Sequence, residues 1–350
     1  MNPIYTILHT LVRITLPLYY RKIYVTGIET FPKDKPVLLA VNHQNAFLDG
    51  VLVAFKLDKQ VYFLARSDAF KGKLAAKILK AINLVPIYRK QDGTGVENNA
   101  QVFQWCYKTL EEHKPVLIFP EGTCEPHKHM FPLKKGMARI ALGAVESHPD
   151  MDLQIVPVAL NYEDHMAFRS KVWVDFGKPI SVQKIVKDCS SSGGRVKILT
   201  NKVEEELRTM VLHIEKENYH NEHDVVMHNM AVQQPQSGVD LVELAKSKNK
   251  SEQAKPNDST TVLAMILSFP FLLLHRPLYY LIDWIAAKFT GKDEFFPSIK
   301  YGLLALTFPF YWLILAFSLG GILGFSFLGI LLFWFVFPLT AWIGMLLKGV

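Results

Sequence analysis

Between Ile23 and Ile180 the chain alternates short apolar runs with longer stretches of helical apolar spacing. The runs predict strands at Val37–Val41, Val61–Ala65, Leu84–Tyr88, Val116–Phe119, Ile155–Leu160 and Val172–Phe176. The helical spacing predicts helices at Ala46–Phe55, Lys71–Ile82, Val96–Glu112 and Gly136–Ser147. Strands separated by helices of this size imply an α/β domain, with a largely parallel sheet flanked by helices. Pro86 and Pro157 fall inside two of the strands. Proline donates nothing to a ladder, so both predict edges, bulges or strand ends.

The flanks read differently. Residues 1–22 carry an apolar, aromatic stretch, Ile4–Tyr20, with Arg13, Arg21 and Lys22 near or after it. It falls short of the roughly 20 residues a span needs, and predicts an N-terminal helix lying in the membrane interface. A helix packed on the domain by one apolar face fits the same pattern. Ser181–His220 has a charged helical pattern and closes a domain at 23–220. Residues 221–260 turn polar and predict a flexible linker with a short helix at Val239–Ser247.

The remainder, 261–350, is hydrophobic. Val262–Leu274 is too short to span and ends in His275-Arg276-Pro277. With Leu278–Phe289 it predicts a re-entrant or interfacial helix pair, since a longer span would bury Arg276 and Asp283. Tyr301–Leu347 contains no Asp, Glu, Lys or Arg and is long enough for two transmembrane helices, with the turn expected at Gly320-Gly321. Lys300 and Lys348 would flank this hairpin on the cytoplasmic side. Domain and C-terminus would then share the cytoplasmic face.

Composition narrows the partners. The 350 residues carry a net charge of +7. With spanning segments present, that charge suits an anionic membrane surface better than nucleic acid. Cys106, Cys124 and Cys189 form no CxxC pair and are odd in number, which points to a reducing compartment rather than a disulfide or zinc framework. No cleavable signal peptide is expected at the N-terminus.

The candidate chemistry sits at strand ends. In Asn42-His43-Gln44-Asn45-Ala46-Phe47-Leu48-Asp49, a histidine closes the first of the predicted strands and an aspartate opens the following helix. A neutral imidazole can take a hydroxyl proton near pH 7, and a carboxylate on its other nitrogen fixes the tautomer. Alone, the pair also fits a turn-capping histidine and an acid at a helix N-terminus. Glu121-Gly122-Thr123 ends another apolar run, where glycine lets backbone amides approach a ligand. Alone, it also fits a solvated turn. Arg66, Arg89, Lys134 and Lys135 end strands or precede a helix, where a phosphate would be attracted. Each also fits an ordinary surface charge. His127 and His129 lack the further ligands a metal site would need, and no metal is expected.

Together, NHQNAFLD, VPIYR, FPEGT followed by LKKGMARIAL, and IVPVAL resemble the four ordered blocks of the glycerolipid acyltransferases. These are the glycerol-3-phosphate and 1-acylglycerol-3-phosphate (lysophosphatidate) acyltransferases. The likeness runs from about Tyr24 to Ile180 and ends on FGKPI. It implies His43 as general base with Asp49 as its partner, and Arg89, Glu121 and Gly122 as acceptor contacts. Thr123, Lys134 and Lys135 extend that set. It implies no cofactor, with acyl-CoA or acyl carrier protein as co-substrate and membrane lipids as partners. Phospholipid biosynthesis is the expected setting.

Two positions depart from the family pattern. Five residues separate His43 from Asp49 where most members have four, as in a subset resembling fungal glycerol-3-phosphate and dihydroxyacetone-phosphate acyltransferases. Cys124 stands where the family usually has Arg. That leaves open a non-glycerol lyso-lipid acceptor, or a non-catalytic lipid-binding protein on the same fold.

Overall fold

A computed structural model describes residues 3–88, 99–247, 269, 272–291 and 293–347. The chain divides into two compact units. The first comprises Met1–Arg13, Ile23–Glu163 and Lys171–Ser251; the second comprises Ile14–Lys22, Asp164–Ser170 and Glu252–Val350.

The strands are β1 (Lys22–Thr26), β2 (Val37–Val41), β3 (Tyr62–Arg66), β4 (Leu84–Ile87), β5 (Val116–Ile118), β6 (Gln154–Tyr162), β7 (Lys171–Phe176) and β8 (Ile180–Ser181). They form one sheet in the order β1-β7-β6-β2-β5-β3-β4, with β8 also on β6. The pairs β2–β5, β2–β6, β3–β4 and β3–β5 are parallel, while β7 and β8 run antiparallel to β6. The helices of the first unit include α2 (Ala46–Lys56), α3 (Lys73–Ala81), α4 (Asn99–Glu111), α5 (Gly136–Ser147), α6 (Val182–Asp188) and α7 (Ser192–Arg208), while α1 (Pro3–Tyr19) has its residues divided between the two units after Arg13.

The parallel centre is apolar on both faces, as sheets covered on both sides must be. All five residues of β2 and all nine of β6 are buried. Leu38 and Ala40 share a core with Cys106 and Leu110 of α4, Ile140 of α5 and Val203 of α7. Val37, Leu39 and Val41 alternate to the opposite face.

The two prolines resolve differently. Pro86 lies on β4, an edge strand. Pro157 lies inside β6 and not at an edge or strand end, at the point where the antiparallel register slips by one residue between Ile155↔Ile180 and Val158↔Phe176, as the bulge alternative expects. Its carbonyl accepts from Gly177 N–H at 2.8 Å on the β7 side. The missing proline N–H points to that same side, in the gap between the β7 and β8 ladders. The parallel ladder to β2 is therefore intact.

The expected flexible linker is a correction over the described residues 221–247. Helix α8 (Tyr219–Gln233) was not expected, while α9 (Gly238–Lys246) is the short helix predicted at Val239–Ser247. They bury Val226, Met230, Leu241 and Leu244 against Tyr24 and Trp173. Ser237 and Asp240 form a reciprocal cap at the start of α9, which is why a polar sequence holds a helix here. A few buried apolar residues anchor both helices, so average polarity misleads. Residues 248–260 lie outside the described residues.

The second unit contains α10 (Arg276–Thr290), α11 (Phe296–Ile322), α12 (Phe327–Trp334) and α13 (Val336–Leu347). Most of Val262–Leu274 lies outside the described residues, as does Lys348. Lys300 does not precede the long helix but sits in it, 3% exposed. Its ammonium donates to Asp283 Oδ1 at 2.6 Å and to the Tyr279 hydroxyl at 2.9 Å. The turn also moves. Helix α11 runs through Gly320-Gly321, and the chain reverses at Gly324, whose φ is 72°. A Cβ on Gly320 would lie 2.9 Å from Ile330 of the returning helix, so this glycine serves close packing instead.

Candidate active site

The site is built on the carboxyl ends of β2, β5 and β6. Asn42, just past β2, clasps β6: its Nδ2 donates to Leu160 O at 2.9 Å and its Oδ1 accepts from Leu160 N–H at 2.7 Å. This fixes the backbone that presents His43. Asp49 stands in the first turn of α2 with its side chain wholly buried, whereas that of His43 is 16% exposed. His43 Nδ1 lies 2.8 Å from Asp49 Oδ2. The same oxygen accepts from the amides of Gln44 and Asn45, each at 2.8 Å. Asp49 Oδ1 accepts from the Tyr162 hydroxyl at the end of β6. A carboxylate only accepts, so Nδ1 carries the proton and Nε2 keeps its lone pair.

The five-residue interval between His43 and Asp49 is taken up by a tight entry into α2, where Ala46 adopts φ 39°. Its amide donates to Cys124 Sγ at 3.2 Å. Cys124 thus ties the FPEGT segment to the start of α2.

Glu121 follows β5 and is 3% exposed. Its Oε1 accepts from the His43 amide at 3.1 Å and its Oε2 from the Phe131 amide at 3.0 Å. Burial pushes this carboxyl up to about 7; the two amides pull it back and the Asp49 charge adds to the rise. The glutamate clamps the backbone beside the histidine. Gly122 has φ 68°, and a Cβ there would stand 3.3 Å from Lys134 Cγ. The stem of Lys134 therefore runs over Gly122, and the side chains of Lys134 and Lys135 are exposed just before α5. Thr123 is half-buried in the intervening loop.

Of the residues predicted from sequence, His43, Asp49, Glu121, Gly122 and Lys134 come together. Thr123 and Lys135 adjoin them along the chain. Arg89 lies outside the described residues. Arg66 ends β3 as expected and pairs with Asp68.

Sequence reasoning missed Tyr162, the Asn42 clasp and the stacking of Phe119 on His43. It also missed Lys128, which is buried and donates to the carbonyls of Tyr162 and Glu163. The available signal was Asn161-Tyr162, a polar pair closing the apolar run IVPVAL.

His129, His213 and Glu215 also cluster. His213 Nδ1 accepts from the Met130 amide at 3.0 Å, so its proton sits on Nε2, 3.1 Å from Glu215 Oε1. That ring has no lone pair left for a cation.

A parallel sheet with a histidine–carboxylate pair and a glycine turn at its carboxyl ends defines an α/β enzyme-type site. Residues 22–161 match the family described as Acyltransferase. The chain is 38% identical over 97 residues to glycerol-3-phosphate O-acyltransferase 1 of Saccharomyces cerevisiae, covering 26% of this chain and 13% of that protein. It is 32% identical over 149 residues to a 1-acyl-sn-glycerol-3-phosphate acyltransferase of Chlamydomonas reinhardtii, covering 42% and 40%. A solved structure of the 1-acyl-sn-glycerophosphate acyltransferase from Thermotoga maritima aligns with a TM-score of 0.43 at 20% identity, over 59% of this chain and 78% of that one. Residues 22–161 therefore form a domain of the acyltransferase type, similar to parts of glycerol-3-phosphate and 1-acyl-sn-glycerol-3-phosphate acyltransferases. The chain spans less than half the length of the yeast and algal relatives it matches.

Proposed function

We propose that this protein is a membrane-bound O-acyltransferase. It moves a fatty acyl group from acyl-CoA or acyl carrier protein to a hydroxyl of glycerol 3-phosphate or 1-acylglycerol 3-phosphate. The carrying observation is the pairing of His43 with the buried Asp49, which holds Nδ1 and leaves Nε2 to act on a substrate.

In this reading Nε2 takes the acceptor's hydroxyl proton as the oxygen attacks the thioester carbonyl. The C–O bond forms, the tetrahedral intermediate collapses, and the C–S bond breaks. The departing thiolate recovers the proton from the imidazolium. Asp49 stabilises that imidazolium and holds the ring. Lys134 and Lys135, beside the start of α5, supply positive charge for the acceptor phosphate. The resemblance adds Arg89 to that role.

The second unit supports membrane residence. Helix α11 has 27 residues, about 40 Å of rise against roughly 30 Å of hydrocarbon. It exposes Phe310, Ile314 and Ile322, while the returning segment exposes Leu328, Leu332 and Phe335. Ala316, Ile330 and Phe337 bury the contact between the two; the returning segment is broken into α12 and α13, of 8 and 12 residues, so among the described residues α11 is the one helix long enough to cross by itself. A transmembrane hairpin of these helices, with α1 in the interface, holds the catalytic domain on the cytoplasmic face.

The test is thiol release from one acyl-CoA across an acceptor panel: glycerol 3-phosphate, dihydroxyacetone phosphate, lysophosphatidate and a lyso-amino-acid lipid. Release should require a phosphate-bearing acceptor. His43→Ala should abolish it while fold and resistance to carbonate extraction persist. Near-normal turnover by that variant would refute the mechanism.

A further inference from the structure

We infer that Tyr162 is a positioning residue for the His43–Asp49 pair, its hydroxyl holding one carboxylate oxygen so that the other stays aimed at Nδ1. The inference rests on the reading of His43 as general base.

Tyr162 is the last residue of β6 and is 1% exposed. Its hydroxyl is the only donor to Asp49 Oδ1 among the described residues, and it comes from 113 positions away. Oδ2 already has three donors: His43 Nδ1 and two backbone amides. The phenol therefore completes the carboxylate's shell on the side the α2 turn cannot reach. Its own backbone is fixed. Lys128 donates to its carbonyl, and Asn42 clasps Leu160 two residues earlier. These same residues frame His43, so base, partner and phenol are registered to each other through the β2–β6 ladder.

Removing the hydroxyl would leave a buried carboxylate oxygen without a donor. The charge would then shift toward the His43 side, or the carboxyl would capture a proton. Either response raises the pH at which the base becomes competent. A tyrosine present only for its ring would tolerate phenylalanine with no such change.

The experiment uses the full chain in detergent or vesicles and compares wild type, Tyr162→Phe and His43→Ala. For Tyr162→Phe, kcat should fall about 10-fold to 100-fold with KM within about twofold. The acid limb of its pH–rate profile should move up by about half a unit or more. The pH dependence of His43 carbethoxylation, followed by peptide mass spectrometry, should move with it and needs no turnover. An unmoved acid limb and unmoved His43 reactivity would assign Tyr162 to packing alone, even if the melting temperature fell. Should Tyr162→Phe fail to fold, 3-fluorotyrosine at position 162 keeps the shape and strengthens the donor. The acid limb should then move down by a few tenths of a unit, and no movement would overturn the proposal. Turnover surviving in His43→Ala would instead overturn the base assignment on which the proposal stands.

Discussion

Phe119 lies flat against His43, with ring centroids 3.8 Å apart and planes 13° from parallel. The contact joins the residue after β5 to the residue pair after β2, so the FPEGT segment restrains the imidazole as well as its backbone. A π face also favours the imidazolium that forms as the proton is taken. Phe119→Ala should lower kcat about tenfold through lost orientation, with little change in acceptor KM. Steady-state kinetics on the purified variant checks this, and an unchanged kcat would show that Asp49 alone positions the ring.

Glu121 gives stability a pH signature. Its carboxyl is pushed from the ordinary 4.5 to about 7 by burial. Between those values the folded chain keeps a proton that the unfolded chain has lost. The contribution is therefore full below about 4.5 and is lost as pH rises through 7. Its size is at most about 3 kcal/mol, from about 1.4 kcal/mol per unit. Glu121→Gln does not titrate, but turns an amide NH₂ toward one of two backbone N–H donors. Its melting temperature should lie below wild type at pH 5, and the gap should close toward pH 8. A constant gap would show that Glu121 does not titrate in that window.

The three thiols should separate by reactivity. Cys106 is fully buried, and burial pushes its thiol up to about 12. Cys124 and Cys189 are half-buried. Maleimide at pH 7.5 should label Cys124 and Cys189 in the native protein and Cys106 only after unfolding. Saturating acyl-CoA should slow labelling of Cys124 and leave Cys189 unaffected, as mass spectrometry would show.

Lys300, which is buried, and Asp283, which is half-buried, form an ion pair inside the helical unit. Taking away Lys300 leaves the half-buried Asp283 charge without its partner. Lys300→Met should destabilise the second unit by about 1–3 kcal/mol, since the Asp283 left behind keeps some solvent, whereas the double change Lys300→Met with Asp283→Leu should recover most of the loss. Resistance to proteolysis in detergent micelles reads both.

The sheet was legible because its central strands are unbroken apolar runs. Val37–Val41 appears in the structure as predicted, and Ile155–Leu160 grew only to Gln154–Tyr162. His43, Asp49 and Glu121 were legible because polar residues abruptly end such runs. Tyr162 was not, since a tyrosine at a strand end looks like packing until its hydroxyl is seen to reach a residue remote in sequence. Helix α9 was legible as the short helix at Val239–Ser247, whereas α8 was hidden by its polarity, because a few buried residues such as Val226 and Met230 suffice when a large domain already offers a surface to cover. The Gly320-Gly321 turn was misplaced because glycine serves both reversal and close helix contact, and sequence does not distinguish the two.

The hydrogen bond from Tyr162 to Asp49 also sets when the site can exist. On a ribosome adding 5–20 residues per second, the 113 positions between them take roughly 6 to 23 seconds to appear. Until β6 has been made and docked, β2 is an apolar strand with an unpaired edge, and Asp49 lacks its fourth donor. Parallel pairings between such distant segments are intrinsically slow to form. The nascent chain therefore carries its histidine and aspartate long before it carries the site, and needs protection from aggregation during that interval.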